Sequence, residues 1–453
     1  MRSMSRATPV RSVNIRRSSI STPLLALLLC LSLSSGCDGE DSLENAAGAD
    51  AEQEPDEIAD GGEDTAVSGE RADQRYHQPG GNADPYAEAD FSALRGGETN
   101  LSGFAYWDRN GSGSYDMGDE PLGGVAVELT APEESTSIRR SNVRGFANFK
   151  MSLAREDALV DRPGSYEFTV LTPPGWELSS GNKSQTVRIE SLPGSMAGLV
   201  AQSLPEPVGL VPKLQVSGNV VTETPRGNYT PVSDASLVAT GANGENREVD
   251  IDARGRFRFE ATSGEWEISA YSADEDNEVV RQIEVDSTAV ELSALVLGSD
   301  EQPSQTSETI DIDFDEFLPR DLHKIPSGLG GLHWDGLNAI EKTYYPHGAG
   351  YANTAVSGQL VAYNTSGHPA TIADEEGFDF RGAYFGVGWP WAQGEELIIE
   401  AWRDDRRIAR DVVVLSSFAP IWFDADYRDI TELRLNTRHH WQFIMDAPRF
   451  GIR

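Results

Sequence analysis

The chain has 453 residues, with 73 Asp and Glu against 37 Lys and Arg and a formal net charge of -36. A surface this negative disfavours nucleic acid and anionic lipid headgroups, and favours solubility and divalent cations. The length allows two to four domains. Its two cysteines, Cys30 and Cys37, both lie near the N-terminus, so the domains beyond them contain no disulfide and depend on apolar cores, with or without bound metal.

Five arginines (Arg2, Arg6, Arg11, Arg16, Arg17) and no acid precede an apolar run from Leu24 to Leu33, which ends in Ser34-Ser35-Gly36-Cys37. A basic stretch, a short apolar run and small residues make a secretory signal. The run is about ten residues long, too short for a bilayer span of about 20. Cys37 directly after small residues resembles a bacterial lipobox, with Ser34 at the position where Leu is usual. The resemblance implies cleavage before Cys37 and lipidation of its thiol and new amine. Residues 1–36 are thus expected to be a lipoprotein signal peptide, and the acyl chains on Cys37 the membrane partner, at the outer membrane, cell surface or periplasm. Residues 37–96 are poor in large apolar side chains and rich in Asp, Glu, Ala and Gly. Such a segment cannot bury enough surface to offset its ordering entropy, and reads as a disordered acidic tether.

After Glu98 the texture changes to short alternating strands separated by Gly, Pro and Asn turns. Val125, Val127 and Leu129 alternate with Ala126 and Glu128. Tyr166, Phe168 and Val170 alternate with Glu167 and Thr169, and Trp266, Ile268 and Ala270 with Glu267 and Ser269. No long segment keeps a helical period. The expected fold class is all-β, with tandem β-sandwiches in series.

Two segments share an outline: an early Gly strand (Gly103; Gly218), a turn into an alternating strand, a Gly-aromatic hairpin (Gly145-Phe146; Gly255-Arg256-Phe257), then a Gly turn into another alternating strand (Gly164 to Val170; Gly264 to Ala270). The first, residues 97–205, resembles the B-type domains of Gram-positive serine-aspartate repeat surface proteins. The second, 206–298, resembles carboxypeptidase regulatory-like domains. Both resemblances imply transthyretin-like β-sandwiches that serve as spacers or stalks. Related collagen-adhesin B-type domains form a Lys–Asn isopeptide bond, but Leu101 to Tyr106 holds no lysine, so none is expected.

Between Asp108 and Glu120, side-chain oxygens fall at loop positions 1, 3, 5, 9 and 12, on Asp108, Asn110, Ser112, Asp116 and Asp119, with the Ser114 carbonyl at position 7. Calcium takes six to eight oxygens, and this spacing wraps one loop around one ion. The loop resembles an EF-hand loop and, more closely, the calcium loop of the serine-aspartate repeat B-type domains. Ser112 stands where Asp is usual and Asp119 where Glu is usual, which places the expected affinity at roughly 10⁻⁴ to 10⁻³ M. The alternative is a hydrated turn held by Asx caps.

A polar linker, 299–308, leads to a third segment, 309–453. Ile312-Asp313-Phe314-Asp315, Gly330-Gly331-Leu332-His333-Trp334, Phe378-Asp379-Phe380-Arg381-Gly382-Ala383-Tyr384 and Phe443-Ile444-Met445-Asp446 make it resemble an uncharacterised β-sandwich family of secreted proteins. The resemblance implies a jelly-roll-like fold similar to non-catalytic carbohydrate-binding modules. Tyr384, Trp389, Trp391 and Trp402 are read either as core packing or as a platform for sugar rings. Asp313 or Asp315 with Asp446 makes a second candidate calcium site, the alternative being turn caps.

No His-Glu-x-x-His helix, Gly-x-Ser-x-Gly elbow or phosphate loop occurs, and no catalytic residue is assigned. The expected function is surface adhesion or ligand binding without catalysis, toward a polysaccharide or other cell-surface ligand. The alternatives are a structural envelope protein with a protein partner, or a glycan-active hydrolase acting through a carboxylate pair.

Overall fold

The computed structural model describes residues 97–224, 228–273, 276–286, 288–298, 308–319 and 321–452. The expected signal segment, Cys37 and the expected acidic tether lie outside them. The described chain is built almost wholly of β-strands arranged as tandem β-sandwiches.

In the first sandwich, the strand Thr99–Trp107 runs antiparallel to Phe146–Met151 and Glu120–Pro121 and parallel to Val208–Pro212, with Ala105 opposite Val208. The facing sheet runs Thr136–Arg140, Ala126–Thr130, Gly164–Leu171, Ser184–Ser191, Leu199–Ala201, all antiparallel. Strand alternation fills the space between them: Tyr166, Phe168 and Val170 point inward with Leu101, Phe149 and Val187. The closing strand Val208–Pro212 lies beyond residue 205, across the polar segment Gln202 to Pro207.

The second sandwich repeats this topology. Gln215–Glu223 runs antiparallel to Arg256–Glu260 and Tyr229–Pro231, and parallel to Ala289–Leu292 and Leu295–Leu297. Its other sheet runs Asn246–Glu248, Ser236–Gly241, Gly264–Tyr271, Glu278–Val285. The repetition reaches single atoms. Asn142 Oδ1 accepts from Arg144 N–H and Phe146 N–H, and Asp252 Oδ1 accepts from Arg254 N–H and Arg256 N–H. Each turn ends on a glycine with positive φ, Gly145 and Gly255, whose carbonyl accepts from the first strand at Ala105 and Val220. Two residues after the next turn glycine, the Tyr166 hydroxyl and the Trp266 indole N–H each donate to the carbonyl four residues back, at Arg162 and Thr262.

The third domain curls two long strands, Ala370–Val387 and Ile421–Thr437, around a large aromatic and aliphatic core. Phe443–Ile452 and Leu360–Asn364 continue the sheet on one side, and Glu396–Arg403 with Arg406–Val414 on the other. Register shifts between Ala373 and Gly382 bend the longest strand, as bulges do.

This domain docks on both sandwiches. Ala289–Leu292 of the second pairs in parallel with Ile421 to Asp424, so the two sheets are continuous. Against the first, buried Asn353 brackets the Gly123 peptide: Nδ2 donates to Gly123 O at 3.0 Å, and Oδ1 accepts from Gly123 N–H at 3.3 Å.

Candidate functional site

The Asp108–Glu120 loop leaves the end of the first strand and folds onto itself. Asp108 is buried, and its two oxygens accept from Ser112 N–H at 3.0 Å and Gly113 N–H at 2.7 Å. Burial works to raise its pKa. The Ser179 hydroxyl and the N–H groups of Gly113, Ser112 and Gly111 outweigh that and hold the carboxyl below its ordinary value. Asn110 Nδ2 donates to Asp116 Oδ1 at 2.9 Å, and Ser112 Oγ to Asp116 Oδ2 at 2.9 Å. Asp119 accepts from Arg109 N–H and Asp116 N–H. The Tyr106 phenol is pushed up to about 12, first by burial and then by the negative charge of Asp108, Asp119 and Asp116. All three carboxylates therefore lie near enough to that phenol to act on it. The donors are all hard oxygens, the chemistry calcium prefers. Among the described residues, no three Asp, Glu, His or Cys side chains form a ready metal-holding group. In this conformation the loop's acids are engaged by N–H and O–H donors, and an ion would displace the Asn110 and Ser112 bonds to Asp116.

Asp315 and Asp446 both bind the loop from Val356 to Leu360, Asp313 caps its own helix, and the three do not form one metal-holding group. Asp313 caps the short helix Phe314–Phe317, accepting from Asp315 N–H. Asp315 accepts from Gln359 N–H at 2.6 Å and Leu360 N–H at 2.9 Å. Buried Asp446 accepts from Val356 N–H, Ser357 N–H, Ser357 Oγ and Ala447 N–H. Burial is the main influence on its pKa, which is raised despite those four donors.

The four aromatic candidates fall into three places. Trp389 and Trp391 stack at 5.0 Å beside the turn Pro390–Ala392, and Trp389 also meets Tyr345 and Tyr351. Trp402 lies under the Arg434 guanidinium at 4.2 Å. Tyr384 pairs directly across the sheet with Trp422, ring centroids 4.9 Å apart.

That last pair lines a cleft of about 1090 Å³ between the second sandwich and the third domain. One wall carries Thr240, Glu265, Glu267, Gln282, Glu284 and Asp286; the other carries Asp311, Arg381, Tyr384, Trp422, Asp424 and Arg449. Arg449 lies 5.4 Å from the Trp422 ring and pairs with Asp311 at 2.7 Å, its neighbour across the strands. Arg281 binds Asp424 at 2.8 Å and Asp426 at 3.0 Å, stitching the seam behind the cleft. The Tyr384 phenol is raised first by burial and next by Asp286 from the opposite wall. Sequence reading missed Trp422, Arg449 and Asp311. One signal was present: in Ile421–Thr437, Phe423, Ala425 and Tyr427 point inward, which sets Trp422 on the face shared with Asp424 and Asp426. A tryptophan on the polar face of a strand needs a second surface to cover it.

No family model matches the chain, and no curated protein matches it. Among solved structures the chain is similar to the shaft pilin SpaA of Lactobacillus rhamnosus GG, at 12% identity over 46% of this chain and 99% of that one, with a TM-score of 0.20. It is also similar to a streptococcal ancillary pilin, at 15% identity over 45% of this chain and 63% of that one, TM-score 0.19. A third is the CBM51-2 and INT domains of Clostridium perfringens ZmpB, at 10% identity over 52% of this chain and 47% of that one, TM-score 0.22. At such TM-scores these likenesses carry no argument, and the fold stands on the strand pairing described above.

Proposed function

We propose that this chain is a non-catalytic cell-envelope lipoprotein that binds a carbohydrate in adhesion. Cys37 anchors it, the two repeated sandwiches each hold the third domain, and one calcium ion stiffens the first of them through Asp108, Asn110, Ser112, Ser114, Asp116 and Asp119. The observation that supports the binding role best is the cleft, where the half-buried Tyr384–Trp422 pair sits among carboxylates, guanidinium groups and Gln282. Flat rings stack on the apolar face of a sugar, and flanking carboxylates and amides bind its hydroxyls.

The full chain on a glycan array tests this reading. Saturable signal on a defined set of saccharides, weakened about tenfold or more in Tyr384→Ala, supports it. A chain that gives no sugar signal but captures an envelope protein favours the structural alternative, and release of reducing sugar favours a hydrolase. The anchor has its own readout: fatty-acid incorporation should vanish in Cys37→Ser.

A further inference from the structure

We propose that the first sandwich is a tension clamp: a pull between its N-terminal entry and the third domain runs lengthwise along the strand Thr99–Trp107, whose ladder hydrogen bonds bear it together. This rests on the reading of the chain as anchored at Cys37 and adhesive, and adds what the fold does under load.

The two ends of that strand carry the inference. The segment before residue 97 leads into its N-terminal end at Thr99. The covalent route onward leaves from the other end. Val208–Pro212 runs parallel to the strand, with Ala105 opposite Val208 and Trp107 opposite Leu210, and Asp108 N–H donates to Leu210 O at 2.9 Å. Because both strands point the same way, Thr99 and Pro212 lie at opposite ends of the sheet, roughly 30 Å apart along the strand direction. The contact route to the third domain leaves from the same end as Pro212. Glu120–Pro121 pairs with Trp107 and Tyr106, and Leu122 N–H donates to Ala105 O. The next residue is Gly123, whose peptide Asn353 brackets. Both routes therefore meet the strand between Ala105 and Trp107, and a load that enters at Thr99 must cross its length.

Such a load acts in shear. Ladder bonds run between strands, so a pull along the strands is shared by all of them, whereas a pull at an open end breaks one after another. Forced rupture follows the unfolding barrier, and slippage here drags buried Leu101, Ala105, Tyr106 and Trp107 through the core. Trp107 meets Trp176 edge-on at 5.4 Å. Both partners are also held on another side. Thr99 to Phe104 pair with Met151 to Phe146, and Trp176–Leu178 pairs with Val208–Pro212. The second sandwich repeats the arrangement after only Lys213 and Leu214: the chain enters at Gln215 and leaves at Leu297, which pairs in parallel with Thr222.

Single-molecule force spectroscopy of the full chain tests this, with Cys30 and Cys37 changed to serine and cysteine handles introduced in pairs. Arg95→Cys with Lys213→Cys pulls along the strand. Arg95→Cys with Leu153→Cys pulls Thr99 away from Met151, its neighbour across the ladder, and opens that pair from its end. Lys213 and Leu153 are both exposed. The lengthwise pull should rupture in one step, at a force about twofold or more above the opening pull. Buried Leu101 lies on the loaded strand and buried Leu129 on the facing sheet. For a similar loss of melting temperature, Leu101→Ala should lower the lengthwise force more than Leu129→Ala. Equal forces for the two handle pairs, or a lengthwise pull that yields in small successive steps, overturn the clamp and leave the glycan reading standing. A larger loss of force in Leu129→Ala than in Leu101→Ala overturns it too. The glycan array bears on the adhesive reading alone, so the two fail separately.

Discussion

Phe418 and Trp422, on one short stretch of the third domain, pack against two different sandwiches. Phe418 is fully buried in the core of the first, with its ring against Gly124. Trp422 packs on the core of the second and turns its other side to the cleft. The third domain is therefore a bracket that fixes both sandwiches, and the cleft wall depends on that fixation. Phe418→Ala should cost roughly 3–5 kcal/mol, the range for a large buried aromatic. In denaturant titration the first sandwich should then unfold in a separate, earlier transition. An unchanged single transition would mean that the plug contributes little.

The paired turn glycines make a sharper test of the repeat. Gly145 has φ +79°, and a Cβ there would lie 2.4 Å from Ala105 O; Gly255 has φ +75°, and its Cβ would lie 2.5 Å from Val220 O. Either glycine changed to alanine meets both a left-handed backbone and a carbonyl clash, and should lose about 2 kcal/mol or more. Gly244→Ala is the control, because a Cβ there meets nothing within 4 Å although φ is +80°. It should lose less, as read by melting temperature.

Calcium at millimolar concentration should raise the melting temperature of the wild-type chain. For a dissociation constant near 10⁻⁴ M, saturation a hundredfold above it stabilises by about 2.7 kcal/mol. Asp116→Ala, which removes an exposed acid that accepts from Asn110 and Ser112, should abolish the rise while leaving the fold intact. A rise that survives in this variant would place the ion elsewhere.

The seam between the second sandwich and the third domain should respond to pH. Burial is the main cause that pushes Glu291 up to about 7, with the charge of Asp411 adding to it and the Ser217 hydroxyl, Arg258 and Arg256 opposing. Burial also pushes Asp411 up to about 6, against the Tyr427 hydroxyl, the Ala294 N–H, Arg410 and Arg281. Both carboxyls hold their protons more tightly folded than unfolded. Their contribution to stability is therefore full below about pH 4 and is lost as pH rises toward 7. A shift of this size corresponds to something on the order of 3 kcal/mol. Chemical denaturation of wild type and of Glu291→Gln with Asp411→Asn should diverge across that window, with the variant losing less as pH rises. Parallel pH profiles would contradict the assignment.

The repeated architecture was legible because its determinants are local. Asn142 and Asp252 each stand three residues before a glycine, and Tyr166 and Trp266 each stand two after one; turn chemistry and period-two burial carry the rest. The oxygen spacing of the Asp108–Glu120 loop was legible, but spacing does not show which donors Asp116 meets. The crowding of Tyr384, Trp389, Trp391 and Trp402 suggested one platform. Strand alternation and the Pro390–Ala392 turn instead send Tyr384 to the seam, the Trp389–Trp391 stack to the Tyr345 side and Trp402 beneath Arg434. The cleft could not be read from local pattern, because Glu284, Tyr384, Trp422 and Arg449 become neighbours only when one sandwich docks on another domain.

Hydrogen exchange of the full chain, with and without a saturating saccharide identified on the array, tests the central claim most directly. Bound sugar should slow exchange at residues 281–286, 382–385 and 421–424, on the two walls of the cleft, and leave 389–392 unchanged. Protection confined to the Trp389–Trp391 turn, or spread over neither wall, would contradict the account.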